Sequence, residues 1–507
     1  MKLAEALQRA VGLMRAGRRD EGVALCRKVL EAVPGQPDAL HLLAMAARDG
    51  GDADAAERLF RQALAGAPRQ PDILVNFGNF LLAQGRVQEA RSRLAKAVKS
   101  HPDQPSAWYH LGLLGLETGD LRDARRCATR VTDLAPAQAT GWELLAAVQQ
   151  KAGDTAAAIQ TCRRGLERVP EAPRLHYALG QLLRQDCEFE SAARAYETAL
   201  AQGLATPDVF RNLAEAWLEA GDAERAMAAA DDGVWRFDEH APLQRVRARL
   251  HWELRAPGDP VEALWASARA HPHHADLWRT LVELLNRLER NDDARHALAE
   301  ASRLGCPGTP ELRLLAAGGL SAEGRVQEAT EAMAALDRAF PGHVGIKLTF
   351  AEHLLGAGDP AWAERLCGEV LGQDPLDQLA LAYRGTAWQM LGDPREHWLL
   401  DYQRMVRQVT VPPPPGYTDT ASFFQALAEV LSELHRTRAH PIEQTLRGGT
   451  QTNGFLFRLK HPLLRDLERQ IVVAVETALA DFPDDPGHPF WGRRLPGNAT
   501  RFAGAWS

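Results

Sequence analysis

The chain has 507 residues, of which 45% are hydrophobic and 25% are charged, as in an ordinary folded protein. That length exceeds one ordinary globular core unless the chain is built of repeats. The net charge of −7 argues against a general nucleic-acid binder, which carries a basic domain or stripe. No stretch approaches the roughly 18 consecutive apolar residues of a membrane span. We therefore expect a cytoplasmic protein with neither a nucleic-acid nor a membrane partner.

Prolines recur every 34 residues through the first part of the chain, at Pro34, Pro68, Pro102, Pro136 and Pro170. About 34 residues is the period of a stacked helix–turn–helix repeat. Residues 71–104 carry the complete pattern of large and small positions: Leu74, Phe77, Gly78, Leu81, Ala90, Leu94, Ala97 and Pro102. Glycine or alanine is needed where the two helices cross closely, and proline ends the second helix.

The pattern continues less regularly to about residue 394, with an irregular step near Arg255–Pro260. About eleven units are expected, more than the three or so that such an array needs for stability. The period and the pattern resemble the tetratricopeptide family. This resemblance implies an all-α fold, a right-handed superhelix, over residues 1–394. It also implies a concave groove, lined by the first helix of each repeat, that holds an extended peptide or a partner's surface.

The outward positions of the first helices supply the candidate groove residues. They mix aromatic, polar and charged side chains, of which aromatic residues and arginine are the types favoured in binding hot spots. The candidates are His41, Arg48, Asn79, Tyr109, Glu143, Tyr177, Gln181, Arg184 and Arg211. Only Asn79 fits the basic carboxylate clamp of chaperone-binding members, so that specificity is not predicted. The alternative for each of these residues is a solvated surface without a ligand.

Residues 395–419 are predicted to form a linker, because Pro412–Pro415 followed by Gly416 make a stiff, extended spacer. Residues 420–437 carry an apolar stripe at helical spacing, and Pro462 opens a second helix that reaches about Phe482. Residues 501–507 alternate and predict the start of a strand. The segment 420–507 is therefore expected to be small, α+β and incomplete.

A polar loop between the two tail helices resembles the N-terminal part of bacterial 2-oxoglutarate- and Fe(II)-dependent oxygenases that often carry tetratricopeptide arrays. The matching residues are His440, Pro441, Glu443, Gln444, Arg447, Gly448, Gly449, Thr450, Gln451 and Thr452. The resemblance implies hydroxylation by a complete domain that uses Fe(II) and 2-oxoglutarate. In that family the iron ligands follow the strand that residues 501–507 begin. We therefore predict no cofactor, no metal ligand, no named catalytic residue and no oxygenase activity in this chain.

Other interpretations of the tail stay open. The chain could be a non-catalytic adaptor whose tail caps the array, since terminal repeats need a polar cover. A glycosyltransferase or sulfotransferase fusion ranks below it, because neither a phosphate loop nor a nucleotide-sugar pattern is present. The loop around Arg447 either shapes an oxygenase pocket or serves only as a structural turn. The string His274-Ala275-Asp276 is interpreted as a turn between repeats.

Overall fold

A computed structural model describes residues 2–435, 437–442, 450–452, 455–482, 485–493, 502 and 505. Over these residues the regular elements are helices, and none of them is in a strand. The chain divides into two compact units, residues 1–205 and 206–507. The predicted all-α helical repeat is confirmed.

The first unit holds six antiparallel helix pairs, and the second helix of each of the first five pairs also packs on the first helix of the following pair. The pairs are α1 (Leu3–Arg15) and α2 (Arg19–Ala32), α3 (Pro37–Asp49) and α4 (Ala53–Gly66), α5 (Pro71–Ala83) and α6 (Val87–Ser100), α7 (Pro105–Thr118) and α8 (Leu121–Leu134), α9 (Ala139–Lys151) and α10 (Thr155–Arg168), α11 (Pro173–Gln185) and α12 (Phe189–Ala201).

The second unit continues the pairing, then has two short helices and finally two longer ones. Its helices are α13 (Pro207–Ala220), α14 (Ala223–Arg236), α15 (Ala241–Glu253), α16 (Glu262–Ala270), α17 (Ala275–Arg287), α18 (Asn291–Arg303), α19 (Pro310–Ala322), α20 (Val326–Ala339), α21 (Val344–Ala357), α22 (Pro360–Gln373), α23 (Gln378–Leu391), α24 (Arg395–Leu399), α25 (Tyr402–Met405), α26 (Thr420–Leu434) and α27 (Pro462–Ala480). Two short 3₁₀ turns, Leu456–Arg458 and Trp491–Arg493, flank α27.

Local chemistry sets the helix boundaries. Second helices often begin after an aspartate whose carboxylate accepts a hydrogen bond from the backbone N–H three residues on, as Asp52 does from Ala55 at 2.9 Å. The turn between paired helices commonly contains a glycine at positive φ, such as Gly85 at 73°. In the first five pairs the second helix ends two residues before a proline of the 34-residue series, because the residue preceding proline is excluded from the helical region.

An aromatic residue near the start of several first helices ties each helix to the preceding turn. The indole N–H of Trp108 donates to the carbonyl of Pro102 at 2.8 Å, and Trp142 donates to that of Pro136 at 3.0 Å. Trp278 repeats the contact in the second unit, with the carbonyl of Pro272 at 3.0 Å. A proline at this position therefore follows the end of one helix, and its carbonyl accepts a hydrogen bond from the next helix.

The described part of the tail departs from the predicted α+β segment. α26 and α27 occupy the predicted helical stretches, and between them the described residues form turns and a 3₁₀ segment. The backbone N–H of Leu456 donates to the carbonyl of Ala505 at 2.8 Å. A strand requires a continuous ladder with a neighbour, and the described residues contain none. Most of the predicted strand at 501–507 lies outside the described residues.

Three cysteines at equivalent repeat positions, Cys26, Cys162 and Cys367, are buried in the apolar interior. Burial raises the pKa of Cys26 to about 11 and that of both Cys162 and Cys367 to about 12. These thiols therefore act as small apolar side chains at neutral pH.

Candidate partner-binding face

The first helices of the first unit lie side by side, because each contacts the first helix of the next repeat as well as its own partner. Residues spaced by 34 therefore follow one another across these helices. We call the row formed by the fifth residue of α3, α5, α7, α9 and α11 the inner row, and it comprises His41, Val75, Tyr109, Glu143 and Tyr177, of which Val75 is buried. Four of its five members were singled out from the sequence.

The middle of the inner row holds an electrostatically coupled group. Tyr109 on α7 and Glu143 on α9 are both half-buried. Burial raises the pKa of Tyr109, and the Glu143 carboxylate raises it further, while Arg174 opposes both. Burial also raises the pKa of Glu143, and Arg174 again opposes the rise. The charge of Arg174 on α11 thus acts on both groups, and the charge of Glu143 on α9 acts on Tyr109 on α7.

Several other predicted groove residues contact side chains of the chain itself. The His41 ring Nε2 lies 2.9 Å from the Asn76 amide nitrogen on the next first helix. The Arg48 guanidinium pairs with the neighbouring Asp49 carboxylate at 2.6 Å. Tyr177 places its ring 5.6 Å from that of Tyr196. These contacts hold the side chains in place on the face.

The remaining candidates differ in exposure. Gln181 is exposed, whereas Asn79, Arg184 and Arg211 are half-buried. Arg211 lies on α13 in the second unit and pairs with Asp208 at 2.9 Å. Among the candidates, the structure thus brings Tyr109 and Glu143 within electrostatic reach of each other, while His41 and Arg48 pair with residues that were not predicted.

His41 gives a prediction about pH. Burial lowers its pKa below the ordinary value of 6.5. Below pH 6.5 the unfolded chain binds more protons at this residue than the folded chain, so its contribution to stability is complete above that pH and declines below it. We expect the denaturant midpoint of the first unit to decrease when the pH is lowered from 7.5 to 5.5, and to decrease less in His41→Gln. Equal falls in both proteins would contradict this.

A second row, of which only Arg211 was predicted from the sequence, follows the same spacing in the second unit. Arg211, Arg245 and Arg279 are 34 residues apart, and this interval was the signal that could have found them. Arg245 pairs with Glu283, and Arg279 contacts the same carboxylate at 2.7 Å. Because carboxylates accompany these arginines, the row is a mixed-charge surface and not a cationic cradle.

The described residues of the motif predicted at 440–452 contact the repeats and the tail itself. The carbonyl of His440 accepts a hydrogen bond from the Trp252 indole at 3.0 Å, and the two rings lie 5.3 Å apart, edge to face. Pro441 is half-buried, while Gln451 and Thr452 are buried. The Thr450 hydroxyl is 2.8 Å from the ring Nδ1 of His435. The other motif residues, Glu443, Gln444, Arg447, Gly448 and Gly449, lie outside the described residues.

The described residues contain no group of three His, Cys, Asp or Glu side chains placed to hold a metal ion. Of the string predicted to be a turn, His274 directly precedes α17, whereas Ala275 and Asp276 are the first two residues of that helix, and Asp276 pairs with Arg279 at 3.1 Å. No described helix is both long and apolar enough to cross a bilayer.

Comparisons with known proteins agree with this architecture. Family models described as tetratricopeptide repeats match residues 13–73, 47–114 and 81–148, and a further such model matches residues 177–242. No curated protein matches the chain. The matches therefore assign the repeat type without assigning a partner.

Solved structures with a similar fold include three that share little sequence identity with this chain. Pseudomonas aeruginosa PilF is 20% identical and covers 48% of this chain and 96% of its own, with a TM-score of 0.34. A Parabacteroides merdae tetratricopeptide repeat protein is 14% identical and covers 48% and 96%, with a TM-score of 0.38. YrrB, described as a tetratricopeptide protein with an unusual peptide-binding site, is 16% identical and covers 36% and 95%, with a TM-score of 0.30. TM-scores this low give no information about the ligand of this chain.

The helix pairs, their spacing and the matched models agree on the kind of repeat. The chain carries tetratricopeptide repeats, matched at residues 13–148 and 177–242.

Proposed function

We propose that the chain is a protein-interaction scaffold and that the inner row of its first unit holds an extended segment of a partner. The observation that carries this proposal is the group formed by Tyr109, Glu143 and Arg174. Tyr109 and Glu143 are half-buried and Arg174 is exposed, and aromatic residues and arginine are the types favoured as anchors of protein interfaces. The Glu143 carboxylate can accept hydrogen bonds from a peptide backbone, and the Tyr109 hydroxyl can donate one to it.

The test compares partner capture by the full chain with capture by a Tyr109→Ala, Glu143→Gln double variant. Partners are identified by quantitative mass spectrometry of proteins retained on each bait, and the binding constant of the best candidate is then measured. We expect affinity to fall at least tenfold, since hot-spot truncations cost about 2 kcal/mol or more. The matched control is Tyr402→Ala, which removes a tyrosine that is 54% exposed on α25. Equal affinities for all three proteins would refute the proposal.

The resemblance of residues 440–452 favours a second function, an oxygenase domain to which the repeats bring a substrate. In this hypothesis Fe(II) and 2-oxoglutarate are used only by a complete domain. We expect no succinate from the 507-residue chain supplied with both. A chain extended by the downstream coding sequence should produce it if that sequence adds two histidines and a carboxylate as iron ligands. A stop codon directly after Ser507 would remove this candidate and leave the non-catalytic adaptor.

A further inference from the structure

The tail segment 437–442 lies against the repeats of its own unit. The backbone N–H groups of Arg438 and Ala439 both donate to the carbonyl of Glu253, at 2.7 and 3.1 Å. Glu253 is the last residue of α15, where helix carbonyls have no partner within the helix. The tail thus supplies donors to a helix end that needs them. The neighbouring contact between Trp252 and His440 joins residues that are 188 apart in the chain.

The segment also has an apolar anchor. Ile442 is 1% exposed and belongs to the same buried cluster as Val261, Trp278 and Leu281. The irregular step that the sequence shows near Arg255–Pro260 is part of this site. There α16 has 9 residues, whereas the second helices of the other pairs have 13 or 14, and Val261 is the residue just before it.

The burial pattern along the segment is that of a bound peptide. Thr437, Ala439 and Ile442 are buried, whereas Arg438 is exposed and His440 and Pro441 are half-buried. Three backbone groups of the segment are hydrogen-bonded. Two N–H groups donate to the Glu253 carbonyl, and one carbonyl accepts from the Trp252 indole. One aliphatic side chain fills the apolar site. Main-chain hydrogen bonds with pockets for selected side chains are a recurring mode of peptide recognition.

We propose that the end of α15 and the apolar cluster beside it form a peptide-binding site, and that residues 437–442 occupy it as an internal ligand. The ligand class is a short protein segment with two successive backbone donors, an acceptor one residue later and a branched aliphatic anchor two residues beyond. A partner carrying such a segment competes with the tail. Because a tethered segment acts at high effective concentration, the internal ligand weakens binding of the external one.

The experiment measures binding of a fluorescent peptide with the sequence of residues 437–442, TRAHPI, to full-length chains by anisotropy. Ile442→Glu should release the internal segment, since a carboxylate is not tolerated in an apolar cluster. We expect it to bind the peptide at least tenfold more tightly than the unaltered chain. The matched control is Val473→Glu, which places the same charge at a 56% exposed aliphatic position in the tail. It should bind like the unaltered chain.

Two further measurements define the site. Adding Trp252→Phe to Ile442→Glu removes the indole donor and should weaken peptide binding at least threefold. A peptide whose isoleucine is replaced by glutamate should not bind any of the chains. Equal peptide binding by the unaltered chain and by Ile442→Glu, or none by either, would overturn the proposal.

Hydrogen exchange on the unaltered chain tests the same site without a substitution, should Ile442→Glu not fold. Saturating peptide should speed exchange of the Arg438 and Ala439 amides at least tenfold, because the displaced segment loses its hydrogen bonds. Unchanged exchange would overturn displacement. The inference rests on the proposed scaffold function, but the two tests address different units. If the peptide assay fails while partner capture still depends on Tyr109, only the site at the end of α15 is removed. If partner capture does not depend on Tyr109 while the peptide still binds, only the inner-row site is removed.

Discussion

Trp278→Ala is expected to lower the free energy of unfolding of the second unit by about 4 kcal/mol, within the range for truncating a buried Trp. Trp278 has no exposed surface and packs its ring edge to face against Trp265, with 6.2 Å between the ring centres. Its indole also donates to the carbonyl of Pro272. The truncation therefore leaves a cavity and an unsatisfied carbonyl at the junction of two repeats. Urea unfolding followed by circular dichroism measures the loss.

The matched control is Trp235→Ala, because Trp235 is 80% exposed. Surface substitutions of this kind change stability by about 0.5 kcal/mol or less. Trp278→Phe should fall between the two, since it keeps most of the apolar volume and removes only the indole donor. Equal losses for Trp278→Ala and Trp235→Ala would contradict the burial on which the prediction depends.

Gly165→Val is expected to destabilise the first unit by about 3 kcal/mol, the upper part of the range for an overpacked core. A Cβ on Gly165 would lie 2.8 Å from both Cβ and Cγ of Trp142 and 2.7 Å from Cδ2 of Leu175. The Trp142 atoms are close to its backbone and cannot move aside cheaply. α10 must therefore shift away from its neighbours. Urea unfolding of the first unit measures the effect.

Gly12→Val provides the control within the same unit. Gly12 also lies in a helix, α1, and a Cβ there meets nothing within 4 Å. Valine is a slightly better helix former than glycine, so the change should be neutral or stabilising by about 0.5 kcal/mol. If both substitutions destabilised equally, backbone propensity and not close packing would be responsible, and the account of Gly165 would be wrong.

The size of the residue at each helix crossing was not predictable from the repeat pattern. Val131, Gly165 and Ala199 follow Ala97 at the same repeat position. Two of them are matched by their neighbours: Gly141 faces Val131, whose Cγ1 would lie 2.8 Å from an added Cβ, and Gly165 faces Trp142. Packing density is conserved through pairs of contacting residues, so one position alone does not set the volume.

The candidate site was only partly predictable for the same reason. The 34-residue interval placed Tyr109, Glu143 and Tyr177 in one row, because successive first helices repeat the same orientation. It did not show that Arg174 is coupled to Glu143 or that His41 pairs with Asn76. Those contacts depend on side-chain directions across neighbouring helices.

The sequence by itself determined the repeat, its helix pairs and most of their boundaries. These features depend on local chemistry, namely proline at helix exits, glycine at positive φ in the turns and aspartate at helix starts. Only the tertiary structure decided where residues 437–442 lie. Trp252 and His440 are 188 residues apart in the chain, and their contact leaves no local or periodic signal in the sequence. It forms because a helix end lacks hydrogen-bond donors and an apolar cluster accepts Ile442, both of which exist only after the repeats have packed.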